Sequence, residues 1–151
     1  MGLFLVKEIR SKKGELHFRR WRFFDSPWFG IYLHYIAKAD EDKHPHDHPW
    51  SFWGVILKGG YVEAFYDWAN LTSPKMNDNF AGKTFFRHAS GEYHKIAKIV
   101  RPTWTLVFHG PKKSTWGYLT EEGWMDHETY RKLKREGHWV LRAIVLGVPN
   151  D

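Results

Sequence analysis

The sequence predicts an all-β domain, a double-sheet jelly-roll barrel with one C-terminal helix. Three observations carry this. Aromatic residues make up 18% of the chain, with nine Trp, and aromatic and β-branched side chains favour strands. Short apolar or alternating stretches recur between Gly- and Pro-containing breaks, the pattern of a sandwich or barrel. One segment alone, "GWMDHETYRKLKREG", reads as a good helix, over about 125–137 with Gly137 as its stop signal.

The elements follow in order. "LFLVKEI" is a strand and "SKKGE" a turn. "ELHFRRWRFF" alternates, with Leu16, Phe18, Arg20 and Arg22 on one face. "SPW" breaks the chain before "FGIYLHYIA", where Ile31, Leu33 and Tyr35 share a face and His34 points the other way. "KADEDKHP" is a polar loop. "WSFWGVIL" and "YVEAFYDW" are expected to form a hairpin around "KGG", because Gly supplies the positive φ of tight turns. "ANLTSPKMNDN" reads as a loop. "KTFFRH" and "HKIAKIV" are short strands around "ASGEY". "PTWTLVFHG" sets Trp104, Leu106 and Phe108 against Thr105, Val107 and His109. "PKKST" is a turn and "WGYLT" a strand. After the helix, "HWVLRAIVLG" either extends it or forms a last strand.

Composition narrows the function. A chain of 151 residues suits one domain. It has no cysteine, which excludes disulfides, thiolate metal ligands and cysteine nucleophiles. The N-terminal apolar run is too short for a secretory signal, and no stretch approaches the ~18 apolar residues that span a bilayer. A cytoplasmic location and no membrane partner are therefore expected. The net charge of +6 would attract nucleic acid or anionic substrates. Its densest stretch is the helix carrying Arg131, Lys132, Lys134 and Arg135. Without a zinc finger, RNA-recognition signature or phosphate loop, nucleic acid is the weaker expectation and solubility the simpler account of the charge.

The chemistry concentrates in "DKHPHDHPWSFWGVILKGGY". His44, His46 and His48 alternate, so an extended backbone points all three the same way. Neighbours at i and i+2 lie ~6.6 Å apart along the chain, close enough for imidazoles to converge on one ion at bonds of ~2.1 Å. Pro45 and Pro49 hold the backbone extended. His94, opening a later strand, is the best third ligand.

"HDHPWSFWGVILKGG" resembles the first motif of the cupin superfamily: two His separated by one residue, a Glu five positions on, and a Gly seven beyond the Glu. His46, His48 and Gly60 fit, while Trp53 stands at the Glu position. "ASGEYH" resembles the end of the second motif, keeping Gly91 and His94 but with Ala89 where Pro is usual. Residues 29–124 are also similar to small bacterial and phage cupin-like proteins of undetermined function. The resemblance implies a single cupin-like domain over 1–151, with His46, His48 and His94 around one divalent metal inside a jelly-roll barrel. It suggests a homodimer. Fe(II) is the favoured ion, with Ni, Mn, Zn and Cu as alternatives, because three imidazoles leave positions open for substrate or dioxygen. A mononuclear metal enzyme, such as a dioxygenase acting on a small molecule, is the expected function. The alternatives are a small-ligand (sugar or nucleotide) binding module or a nucleic-acid-associated protein.

Other residues take expected roles around this site. Glu63 is a late carboxylate ligand, a general base or an orienter of a ligand histidine. His34 and His109 sit mid-strand and are candidates for proton transfer. His44 and His88 are alternative metal ligands. Arg87 and Arg101 are candidate anion binders, and Tyr32, Trp53 and Trp104 candidate pocket walls. Asp47 alternates away from His46 and His48, which leaves it to cap the loop or bond a ring nitrogen.

Overall fold

The computed structural model describes residues 2–11 and 13–137. Nine strands precede one helix among them: β1 (Phe4–Arg10), β2 (Leu16–Asp25), β3 (Gly30–Ile36), β4 (Phe52–Asp67), β5 (Asn70–Phe80), β6 (Thr84–Arg87), β7 (Tyr93–His109), β8 (Gly117–Thr120), β9 (Gly123–Asp126) and α1 (His127–Arg135). The stretch "HWVLRAIVLG" lies outside the described residues.

Two long antiparallel strands organise the barrel. Residues 52–56 of β4 lie against 105–109 of β7, and residues 60–66 against 93–101, with register shifts between the two halves. Such bulges bend and twist a strand, so each long strand serves two sheets. The first sheet runs β6–β4–β7–β3–β2–β1. The second runs β5–β4–β7 and continues through bridges from His46 to His94 and to Tyr118 of β8, which pairs with β9. This is the expected jelly roll.

Three local expectations are corrected. The "KGG" hairpin is instead a bulge inside β4. Gly59 does have a positive φ of 90°, but the reason is close approach: a Cβ there would stand 2.3 Å from the Pro102 carbonyl oxygen of β7. The Gly60 N–H donates to Thr103 Oγ1 at 2.9 Å, which satisfies the bulged backbone. The polar stretch "ANLTSPKMNDN" is not a loop but β5, an edge strand paired only with β4; edge strands tolerate Pro and charge. Finally, the helix begins at His127 rather than 125, because residues 123–126 pair with β8. Asp126 caps it by accepting from the N–H groups of Glu128 and Thr129.

Alternation decides what faces inward. Ile36, Ile56 and Tyr61 form a buried cluster, with Phe18, Phe85, Ile96 and Ile99 packed on it. This apolar plug fills one end of the barrel and leaves the other to polar side chains. Among the described residues, no helix is long and apolar enough to cross a membrane.

The bulge gives a paired test. Gly59→Ala sets a methyl against backbone and forces a strained φ, so it is expected to lower the unfolding free energy by about 2 kcal/mol or more. Gly82, also at positive φ (86°) but with open space around it, should lose only about 1 kcal/mol on the same change. Denaturant unfolding of both variants measures the difference.

Candidate metal centre

The segment carrying the histidines is fixed on both sides by backbone hydrogen bonds. His46 exchanges two with His94, at 2.9 and 3.0 Å. The Pro45 carbonyl accepts from Leu119 N, the His48 carbonyl from Ser90 N and the Pro49 carbonyl from Lys113 N. Asp47, fully buried, accepts from Gly117 N at 2.7 Å, Gly91 N at 3.2 Å and the Trp124 indole at 3.2 Å. Asp47 therefore holds the loop, and the ring nitrogen it bonds is an indole. With Asp47 turned outward to these donors, His46 and His48 turn into the barrel.

There they meet His94. One ligand nitrogen from each of the three rings lies within 4.8 Å of the other two. His48 Nε2 and His94 Nε2 are 2.7 Å apart, and ring centroids are separated by 4.9–5.2 Å. Burial, then the neighbouring His94, lowers the His46 pKa to about 4. Burial followed by His94 and His46 holds His48 well below the usual histidine range. Both rings are thus neutral near pH 7, the form that ligates a metal. His94 is 8% exposed, whereas His46 and His48 each keep part of their surface accessible.

Glu63 stands behind His94. It is 2% exposed and accepts a short hydrogen bond from His94 Nδ1. Arg87 grips the same carboxylate in a fork: Nε to Oε1 at 3.0 Å and a short bond from Nη2 to Oε2. Asn79 Nδ2 adds a bond to Oε2 at 3.1 Å. Burial works to raise the Glu63 pKa, but His94 and Arg87 together outweigh it and hold it down at about 2. An ionised carboxylate only accepts, so the His94 proton sits on Nδ1 and its Nε2 lone pair faces the other two rings. This carboxylate–histidine arrangement is the usual support of a metal-binding imidazole. Two neutral imidazoles and a third so oriented can hold a divalent transition metal.

The remaining residues divide. Arg87 is spent on Glu63 and on the Phe86 carbonyl, so it is a buttress rather than a free anion binder. Trp53, 42% exposed, lies on the outer face against Phe108. A Glu at that position would point away from the histidines. Trp104 is on the same outer face, stacked on Trp21. Arg101 is exposed beside the bulge. His88 is exposed against Phe86. His44 bonds Tyr130 and Glu121, tying the loop to α1 instead of reaching the triad. None of these six joins the converging histidines: alternation or these bonds direct Trp53, Trp104, His44 and Arg87 elsewhere, and Arg101 and His88 are exposed.

Tyr32, His34 and His109 do face inward. The Tyr32 hydroxyl donates to Asp25 at 2.7 Å, and burial and Asp25 push its pKa up to about 12. His109 is sandwiched between Tyr32 and Trp50. His34 Nε2 accepts from Arg20 Nε at 3.0 Å. Arg20 is the inward-facing residue sequence reasoning passed over, although alternation had put it on the Phe18 face. A surface depression of about 390 Å³ lies nearby, lined by Phe65, His88, Glu92 and Tyr93 among others. None of the triad histidines lines it, so it is not the metal centre.

No family model and no curated protein matches this sequence. Solved structures do. The chain is similar to the polyketide cyclase RemF from Streptomyces resistomycificus (12% identity over 79% of this chain and 80% of that one, TM-score 0.55). It is similar to FeII HppE (12%, 71% and 56%, TM-score 0.54). Hydroxypropylphosphonic acid epoxidase from S. wedmorenis is a third (13%, 68% and 54%, TM-score 0.51). The chain spans little more than half the length of the last two. The fold is the cupin jelly roll.

Arg87 supplies the test of this arrangement. Arg87→Gln leaves a buried carboxylate without its counter-ion, and the expected loss in unfolding free energy is about 3 kcal/mol. The Glu63 pKa is depressed from 4.5 to about 2 on folding. Its stabilisation is therefore present above pH 4.5 and lost as pH falls toward 2. The gap between wild type and variant should narrow over that interval in denaturant unfolding.

Proposed function

We propose that the protein is a mononuclear metal enzyme of the cupin fold, with Fe(II) held by His46, His48 and His94, acting on a small molecule in a dioxygenase-type reaction. One observation carries this reading: three imidazoles converge, and a buried carboxylate fixes the tautomer of the third. The similarity to FeII HppE supports the choice of iron. A metal bound there would supply Lewis acidity or redox chemistry at positions the three nitrogens leave open.

The chain's own groups do the rest. Glu63 orients His94 and is not a proton carrier: it is ionised, and both oxygens are occupied. His34 is held neutral by burial and by Arg20, with Nε2 engaged. His109 keeps Nε2 without a hydrogen-bond partner among the described residues, with Asp25 3.6 Å away, and is the ring we assign to proton movement. Phe52, packed on His48 at 4.8 Å, limits water on that side. The basic helix is less available to nucleic acid, because Lys134 pairs with Asp42 and Arg131 lies over Trp116.

Purified protein is expected to take up one divalent ion per chain by elemental analysis, and His48→Ala to lose it. Glu63→Gln should weaken metal affinity about 10–100-fold in competition with a chelator. Protein that stays metal-free after incubation with Fe(II), Mn(II), Ni(II) and Zn(II) would overturn the proposal. A bound ion with every position filled by protein would favour a non-catalytic binding module.

A further inference from the structure

Arg20 is an unusual cation for its place. It projects from β2 into the barrel, in register with His34 of β3 and Lys7 of β1. Its guanidinium lies 5.2 Å from the centre of the Tyr32 ring and 5.6 Å from that of Phe18. Nε is spent on His34, but neither Nη has a hydrogen-bond partner among the described residues, and no carboxylate forms an ion pair with it. Asp25 attracts it only from beyond ion-pair range and is engaged with Tyr32. The contrast with Arg87, whose three nitrogens are all used, is sharp.

Arg20 is half-buried, so its charge is partly withdrawn from water, and its neighbours do not neutralise it. Lys7 and Arg131 are both cations; burial, Arg20 and Arg131 all lower the Lys7 pKa. Arg131 lies over Trp116, whose ring is 6.1 Å from His46. The charge of Arg20 is also felt at His48. Tyr32 beside this guanidinium stacks on His109, whose strand partner Phe52 packs on His48, so the barrel interior that holds the histidines also holds two unspent guanidinium nitrogens in an aromatic frame.

We propose that the ligand of this barrel carries an oxyanion, a carboxylate or a phosphate-class group, and that Arg20 binds it through its two Nη groups beside the histidine triad. This rests on the reading of the triad as a ligand-binding centre and names its substrate class. Arg suits such groups because its planar fork matches two oxygens. His34 is a positioning residue: kept neutral, it accepts from Nε and turns the free edge of the fork to the ligand. Lys7 and Arg131 raise the local anion concentration.

The test titrates the full chain with benzoate, benzamide and inorganic phosphate by calorimetry and by ¹⁵N NMR of the arginine Nε–H groups. Benzoate or phosphate is expected to bind saturably and shift the Arg20 resonance, while benzamide does not. Arg20→Gln should weaken anion binding about tenfold or more, Arg20→Lys should restore part of it, and Lys75→Gln, on the distant β5, should change nothing. Metal uptake measured on the same samples separates the two proposals. Anion binding that depends on Arg20 in protein that takes up no metal would sink the metal reading and keep this one. Normal metal uptake with equal anion binding by wild type and Arg20→Gln would sink this one alone. An Arg20 resonance unmoved by either anion in the wild-type chain would also overturn it, whatever the variants do.

Discussion

The paired backbone hydrogen bonds between His46 and His94 are the constraint on which the rest depends. They join two segments 48 residues apart in sequence and extend the second sheet from β7 to β8. A loop could not hold two imidazoles against a third, because each ordered residue loses conformational entropy. Here Pro45 and Pro49 lower that entropy in the unfolded chain, and buried Asp47 ties the segment to Gly91, Gly117 and Trp124. The convergence of the three imidazoles is a consequence of sheet pairing.

The second requirement is a carboxylate behind the ring. The cupin motif resemblance placed a Glu at position 53, yet β4 turns that side chain outward. The bulge at Gly59 shifts the alternation further along the strand, and Glu63 then faces inward opposite Ile96. The acid it brings touches His94 Nδ1 rather than the cluster of donor nitrogens. A carboxylate placed behind a ligand raises its basicity. Its own burial is offset by the bidentate pair with Arg87 and by one bond donated from Asn79, the kind of pairing needed to hold a charge away from water.

Much of this was legible in the sequence, and the exceptions have physical causes. Alternation alone put His46 and His48 on one face with Asp47 opposed, and His94, opening a later strand, is the third ligand that both the residue pattern and the cupin-like motif offer. The β-rich class followed from aromatic content and spacing. "KGG" was misread because a tight turn and a bulge make the same local demand, a positive φ. What distinguishes them is the approach of Pro102, 43 residues away. β5 was missed because an edge strand needs no apolar face. Alternation puts Arg20 on one face with Leu16, Phe18 and Arg22, but the pattern does not say which face of β2 is the inner one. The outer sheet face is itself aromatic, with Trp21 on Trp104 and Trp53 on Phe108, so hydrophobicity could not separate inside from outside.

Charge balance ties these parts together. Inside the barrel Glu63 and Arg87 cancel, whereas no carboxylate among the described residues pairs with Arg20. Its field helps keep His48 and His34 neutral, which favours metal ligation, yet the same field repels a dication. In a medium of low dielectric that repulsion weakens only slowly with distance. The two sites therefore coexist comfortably when an anion lies between them, attracted by both. Metal and anionic ligand would then each raise the affinity of the barrel for the other, as linkage requires of any two sites coupled by charge. The histidine triad and the unpaired arginine would then be two halves of one binding site.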